Sequence, residues 1–261
     1  MSRGLNWLHG LAGGNEVAGF PASVKVIDGE LGNRAARFIA VVPDARNPFP
    51  RAHNGEVGLL EGWGLAKAVG EAIEADAGRA DKRVLVAVVD VPSQAYGRRE
   101  EALGIHQALA GAVDAYARAR LAGHPVIGLL VGKAMSGAFL AHGYQAQRLI
   151  ALDDAGVMVH AMGKAAAARI TLRSVDELEA LAAMVPPMAY DLGNYASLGL
   201  LWERLAVDNP DCPGPVDLDR VRDSLVRAVA DIGASTDLTN RLGAENRAAS
   251  SKVREMLRAQ W

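Results

Sequence analysis

"HPVIGLLVGKAMSGAFLAHG", residues 124–143, decides how this chain is read. Its first half, "HPVIGLLVG", is a near-continuous apolar run, the pattern of a strand covered on both faces. Downstream, "GAFLAHGYQAQ" reads as a helix. Between them Lys133, Met135, Ser136 and Gly137 interrupt the apolar run at the point where a strand ends and a helix begins. A serine and a glycine at such a junction admit three uses. Ser136 is a nucleophile, or the backbone amides are the functional group, or the segment is a tight turn with a helix-capping serine.

Working outward, three further segments carry the same buried-strand pattern: "RFIAVVPD" (37–44), "RVLVAVVDVP" (83–92) and "RLIALDDAGVMVHA" (148–161), the last read as two short pieces. Upstream, "SVKVIDGELGNRAARFIAVV" alternates around Gly29 and Gly32 and predicts a hairpin leading in. Helical stretches lie between the strands. Residues 59–78 place Leu65, Val69 and Ile73 on one face, and residues 99–123 do the same with Ile105, Leu109, Val113 and Tyr116. The second of these has acids at its start and arginines at its end, matching the helix dipole. "SVDELEALAAM" (174–184) opens with a Ser-x-x-Glu capping box. Strand and helix in alternation predict an α/β fold with a largely parallel sheet. Residues 1–261 form a single domain on this reading, with a core at about 22–172 and a helical C-terminal region at about 173–261, broken by a Pro/Gly-rich stretch at 209–215.

Composition narrows the function. A net charge of −2 provides no global field for nucleic acid or an anionic membrane. The single cysteine, Cys212, excludes an intramolecular disulfide and a cysteine-built zinc site, and implies a reducing, cytoplasmic setting. No run approaches the roughly 20 apolar residues of a membrane span, and the apolar stretch in "MSRGLNWLHGLAGG" is too short for a signal peptide. No metal motif is expected: the adjacent acids in "LDDAG" lie on a strand, where neighbouring side chains face opposite ways. Neither a Walker A motif nor a strand-coupled Gly-x-Gly-x-x-Gly occurs.

For the 136–138 turn, the nucleophile reading is weakened because "KAMSGAF" lacks the outer glycines of a nucleophile elbow, although His142 or His160 would be available as a base. Amides pointing out of a helix N-terminus carry partial positive charge and can stabilise an oxyanion. Gly137 permits close approach of a substrate carbonyl. The amide reading is preferred.

Taken in order, "VVDVPSQAYGRREEALG", a long helix and "HPVIGLLVGKAMSGAFLAHG" resemble the carboxyltransferase branch of the crotonase superfamily. Asp90, Pro92, Ala95, Tyr96, Gly97, Glu100, Glu101 and Gly104 correspond to the pattern of the acetyl-CoA carboxylase carboxyltransferase α subunit, with the Ala-Tyr and Glu-Glu pairs each shifted by one position. Gly132, Ser136 and Gly137 match its glycine-rich turn, while Ala134, Met135 and Ala138 replace the other glycines. That departure, with "RGLNWLHGLAGG" at the start and "VMVHAMGKAAAARIT" later, makes the chain most similar to the malonate decarboxylase γ subunits.

The resemblance implies a crotonase-like (ClpP/crotonase) spiral of ββα units with C-terminal helices, and a heterodimer with a β subunit of the same fold. It implies decarboxylation of a malonyl thioester on an acyl carrier protein (the δ subunit), giving the acetyl thioester and CO2. An α subunit acts in that system as acyl carrier protein transferase. No cofactor is expected on this chain itself; the carrier bears a phosphoribosyl-dephospho-CoA group. The oxyanion hole would be the amides of Gly137 and Ala138 beside Ser136. His160 and Tyr96 are the candidates for proton donation or substrate orientation. Gly97, Arg98, Arg99 and Met135 complete the candidate substrate-binding set, the arginines because the incoming group carries carboxylate and phosphates. The alternatives are a biotin-dependent carboxyltransferase subunit, a non-catalytic scaffold and a serine hydrolase.

Overall fold

The computed structural model describes residues 2–261. In chain order it contains α1 (Arg3–Ala12), β1 (Val24–Leu31), β2 (Arg34–Val41), α2 (Leu59–Ala75), β3 (Val84–Val91), α3 (Arg98–Ala102), α4 (Ile105–Leu121), β4 (Val126–Met135) and α5 (Ser136–Ala141). There follow β5 (Arg148–Leu152), β6 (Met158–His160), α6 (Lys164–Ile170), α7 (Val175–Ala182), α8 (Leu192–Ser197), β7 (Glu203–Leu205), α9 (Pro215–Ile232) and α10 (Ala248–Gln260).

The expected hairpin is present: β1 and β2 pair antiparallel about a turn in which Gly32 takes φ +62. Every other pairing between these strands is parallel, in the order β1-β2-β3-β4-β5-β7 with β6 added on β4. β4 is the shared strand. Its residues 127–130 pair with β5, and residues 133–135 then pair with β6. The ladder to β3 shifts register between Val89 and Val91. One strand thus serves two sheet segments, and the second segment leads into the 136–138 turn.

Two expectations are corrected. The helix expected over 99–123 is two helices, α3 and α4, separated at Gly104, which takes φ +83. Its buried face keeps Ile105 and Tyr116 as expected, but between them it is Ala108, Ala112, Ala115 and Ala119 that are buried, while Leu109 and Val113 are only half-buried. The reason is proximity: a Cβ on Gly62 of α2 would meet the Ala108 backbone at 2.7 Å, so only small residues fit between α2 and α4. The region expected to be wholly helical beyond 173 also contains β7, which pairs with β5 through Ile150–Glu203 to Leu152–Leu205. A three-residue strand is too short to show an alternating pattern. The capping box at α7 forms as expected, Glu177 N–H donating to Ser174 Oγ at 3.1 Å and Ser174 N–H to Glu177 Oε2 at 2.7 Å.

The buried core extends beyond the sheet and its crossover helices. It takes in Trp7 and Leu8 of α1, both fully buried, and Val221, Leu225 and Ala228 of α9. The α1 helix is capped by Ser2 Oγ, which accepts from Leu5 N–H at 3.3 Å, and ends at Gly13 with φ +64.

His142 follows directly after α5 and is completely buried, beside the Tyr116 hydroxyl at 3.1 Å from Nδ1 and the Val88 carbonyl at 3.1 Å from Nε2. Burial pushes its pKa down from 6.5 to about 4. The unfolded chain therefore takes up a proton below pH 6.5 that the folded chain refuses until about pH 4. Stability falls as pH drops through that window, by up to roughly 3 kcal/mol. Chemical denaturation from pH 7 to pH 4 should show that loss, and His142→Gln should flatten it.

Candidate active site

β4 ends at Met135, whose ladder partner on β6 is His160. The chain then turns at Ser136, which takes φ +60. That conformation costs a residue with a Cβ about 1 kcal/mol or more. It converts strand into helix within one residue and sets the first amides of α5 at the sheet's end. Those amides have no partner inside the helix.

What the turn binds is a side chain of this protein. Gly137 N–H donates to Gln94 Oε1 at 2.8 Å, and the Ser136 hydroxyl donates to the same oxygen at 3.1 Å. A backbone N–H can only donate, so the oxygen end of the carboxamide must face the helix. A Cβ on Gly137 would stand 2.2 Å from Oε1, which is why glycine occupies this position. The Ala138 methyl is fully buried, and its amide is third in α5 with no helical carbonyl behind it.

Gln94 lies in the loop after β3. The loop is pinned on both sides: Val57 N–H donates to the Ser93 carbonyl at 3.0 Å, and Ala95 N–H to the Val57 carbonyl at 2.9 Å. Asp90 and Gly132 support the turn from beneath. Asp90 accepts from Gly4 N–H at 3.3 Å and Lys133 N–H at 3.2 Å, and a Cβ at 132 would lie 2.1 Å from Asp90 Oδ1. Two residues matched by the family pattern are therefore a packing pair.

Gln94, Ser136, Gly137 and His160 line one cavity of ≈ 690 Å³, together with Tyr190 and Tyr195. The rest of its wall is mostly apolar, including Phe139 and Met162. The His160 ring stacks on Tyr190 with centroids 3.8 Å apart, and its Nδ1 lies 3.0 Å from the Met162 carbonyl oxygen. Burial lowers the His160 pKa below its usual 6.5, so the ring is a neutral imidazole at pH 7. In that form it orients a substrate better than it supplies protons. The hydroxyls of Tyr190 and Tyr195 are buried without a hydrogen-bond partner among the described residues, and burial pushes both phenols up.

Ser136, Gly137 and His160 thus meet at one cavity, with Ala138 directly behind. Tyr96, Gly97, Arg98 and Arg99 are not part of its wall. Tyr96, Arg98 and Arg99 are exposed, and Gly97 caps α3, where a Cβ would run into Arg51 and Glu100. The Arg99 guanidinium lies 4.7 Å from the centre of the Phe49 ring. Met135 is buried behind the turn in a small cluster with Ala167, Ala168, Leu178 and Tyr190. Among the described residues no histidine accepts from Ser136: its hydroxyl donates to Gln94 Oε1, and His142 is enclosed against Tyr116. The catalytic pair a serine nucleophile requires is not formed.

Sequence reasoning passed over Gln94, Tyr190 and Tyr195. Gln94 sits in "PSQAYG" with no spacing that marks it. Tyr190, in "PPMAYD", signals only that an amphipathic aromatic lies in a loop.

The mostly parallel sheet, its crossover helices and the strand-to-helix turn at 136–138 form a crotonase-like fold of the carboxyltransferase type. The transcarboxylase 12S core shares this fold, at TM-score 0.64 and 18% identity over 88% of this chain and 40% of that one. A family model described as malonate decarboxylase gamma subunit matches residues 52–261, and the chain belongs to that family. It is similar over 100% of both chains to a subunit of a Pseudomonas malonate decarboxylase hetero-tetramer crystallised with coenzyme A, at 71% identity and TM-score 0.97. A Pseudomonas MdcD-MdcE hetero-dimer gives 69% identity and TM-score 0.93, again over 100% of both chains. A Malonomonas rubra protein named malonyl-S-ACP:biotin-protein carboxyltransferase MADD is 32% identical over 207 residues, 78% of this chain and 68% of that protein.

Proposed function

We propose that this chain, paired with a β subunit of the same fold, decarboxylates a malonyl thioester on an acyl carrier protein to the acetyl thioester and CO2. Loss of CO2 leaves an enolate, with negative charge on the thioester oxygen. The first turn of α5 stabilises negative charge at this half of the site, and preorganised donors contribute roughly 3 kcal/mol each in such settings. The observation that carries this reading is the oxygen already bound there: Gln94 Oε1 lies 2.8 Å from Gly137 N–H, the distance an oxyanion donor requires. Ser136, Gly137 and Ala138 form that pole, and His160 stacked on Tyr190 orients the acyl group.

The carrier and its phosphoribosyl-dephospho-CoA arm, the α-type transferase subunit and a cytoplasmic location belong to the same proposal. Among the described residues no helix is long and apolar enough to cross a membrane. The cavity suits such an arm. Its wall is mostly apolar, and two unpartnered tyrosine hydroxyls offer contacts to the amide groups of a slender chain. Met135 supports the cavity floor through Tyr190.

The test is reconstitution. With the β partner and loaded carrier the chain should release CO2; alone, demonstrably free of partner, it should bind malonyl thioester weakly and release none. Robust turnover by the isolated chain would overturn the shared site. The name of the Malonomonas relative favours one second reading, transfer of the carboxylate to a biotin protein. Loss of CO2 release on adding avidin would select it.

The surface formed by Tyr96, Gly97 and the first residues of α3, Arg98 and Arg99, is assigned to the carrier side of the site. Arg98→Ala and Arg99→Ala should each weaken apparent carrier affinity severalfold at low salt, with the effect shrinking as salt rises. Unchanged affinity at low salt would return the loop to a solvated turn.

A further inference from the structure

Gln94 is held at one end only. Its Oε1 takes the Gly137 N–H and the Ser136 hydroxyl, and its backbone is fixed by the bridge to Val57. The absence of a side chain at 137 makes room for this grip, since a Cβ there would lie 2.2 Å from Oε1. The other end of the carboxamide, Nε2, carries two N–H donors. Among the described residues it has no acceptor, yet it is not enclosed as the tyrosine hydroxyls are, and Gln94 lines the cavity. Two hydrogen bonds into Oε1 polarise the amide and strengthen the donors at Nε2.

We infer that Gln94 is a catalytic residue: the Gly137 amide and the Ser136 hydroxyl hold its carboxamide, and its Nε2 donates to an anionic oxygen of the malonyl thioester. This rests on the first turn of α5 being the oxyanion pole, and changes which atoms deliver its charge. The Gly137 amide acts through Gln94 and does not touch the substrate. No proton changes hands in this contact; it is hydrogen bonding to charge.

The test uses the complex assembled with its β partner and carrier, with assembly and melting temperature checked for each variant. Gln94→Met keeps the bulk and removes the donors, and should lower kcat or kcat/KM by about a hundredfold. Gln94→Glu keeps an oxygen to accept from Gly137 and Ser136 but puts an anionic oxygen where Nε2 stood, and should be at least as damaging. A fall in kcat places the contact on the enolate oxygen; a rise in KM places it on the malonyl carboxylate. Gln94→Glu turning over like the wild type would show that no donor is needed at this position, and that result overturns the inference. So does a Gln94→Met complex as active as the wild type. Ala138→Pro measured alongside separates the two levels. If it is harmless, the oxyanion pole itself is misplaced; if it is severe while both Gln94 variants are active, only the role of Gln94 falls.

Discussion

In an assembled complex, Ala138→Pro should lower turnover by about a hundredfold or more, and Ser136→Ala by about tenfold or less. Proline at 138 deletes an N–H that has no helical partner, within the first turn, where a missing amide proton is tolerated. The Ala138 side chain is fully buried, so assembly with the β partner must be verified before activity is compared. Ser136→Ala keeps every amide and loses one hydroxyl bond of 3.1 Å to Gln94, worth roughly 1 kcal/mol. It also keeps the φ +60 strain, which alanine bears about as badly as serine. Steady-state rates of CO2 release for the two variants decide the matter. The reverse order, or covalent labelling of Ser136 by a fluorophosphonate, would restore the nucleophile.

The largest stability effect is expected at Trp7. Its ring is completely buried, and its Nε1–H donates to the Pro210 carbonyl at 2.7 Å, joining α1 to the loop ahead of α9. That loop is fixed from its other side by Asp217, which accepts from Asp208 N–H at 2.7 Å and Asn209 N–H at 3.1 Å. Trp7→Ala should cost about 3–5 kcal/mol through the cavity left behind. For a chain of this size that corresponds to a fall in melting temperature of roughly 10 °C. Trp7→Phe fills most of the space and forfeits the Pro210 bond, and should cost roughly a third as much. A shift under about 2 °C for Trp7→Ala would mean that α1 is not part of the cooperative core.

The buried strands were legible because each is a near-continuous apolar run, and a strand covered on both faces has no other pattern available to it. The α7 cap was legible because a Ser-x-x-Glu box is local chemistry, complete within four residues. The strand-to-helix junction at 135–137 was legible for the same reason, and with it Ser136, Gly137 and Ala138. The seam of α4 was legible only in part: Ile105 and Tyr116 are buried, but in place of the larger Leu109 and Val113 the close approach of α2 makes the alanines the rest of the buried face. β7 escaped because three residues are held in a strand by β5, not by their own alternation. Tyr96, Gly97, Arg98 and Arg99 follow a strand as Ser136 and Gly137 do, yet the fold leaves them out of the cavity wall.

What the sequence by itself determined is the local and the periodic: a parallel sheet, its crossover helices, and a strand-to-helix turn at 136–138. Those features depend on residues within a few positions of one another. What only the tertiary structure decided is which side chain meets that turn. Gln94 and Gly137 are 43 residues apart, on different strand-to-helix connections, and are brought together because β3 and β4 run parallel side by side. His160 and Tyr190 are likewise 30 positions apart and stacked. Contacts at such separation are set by strand register and packing, which no short stretch of residues encodes. The turn is written locally, and its occupant follows from the topology of the sheet.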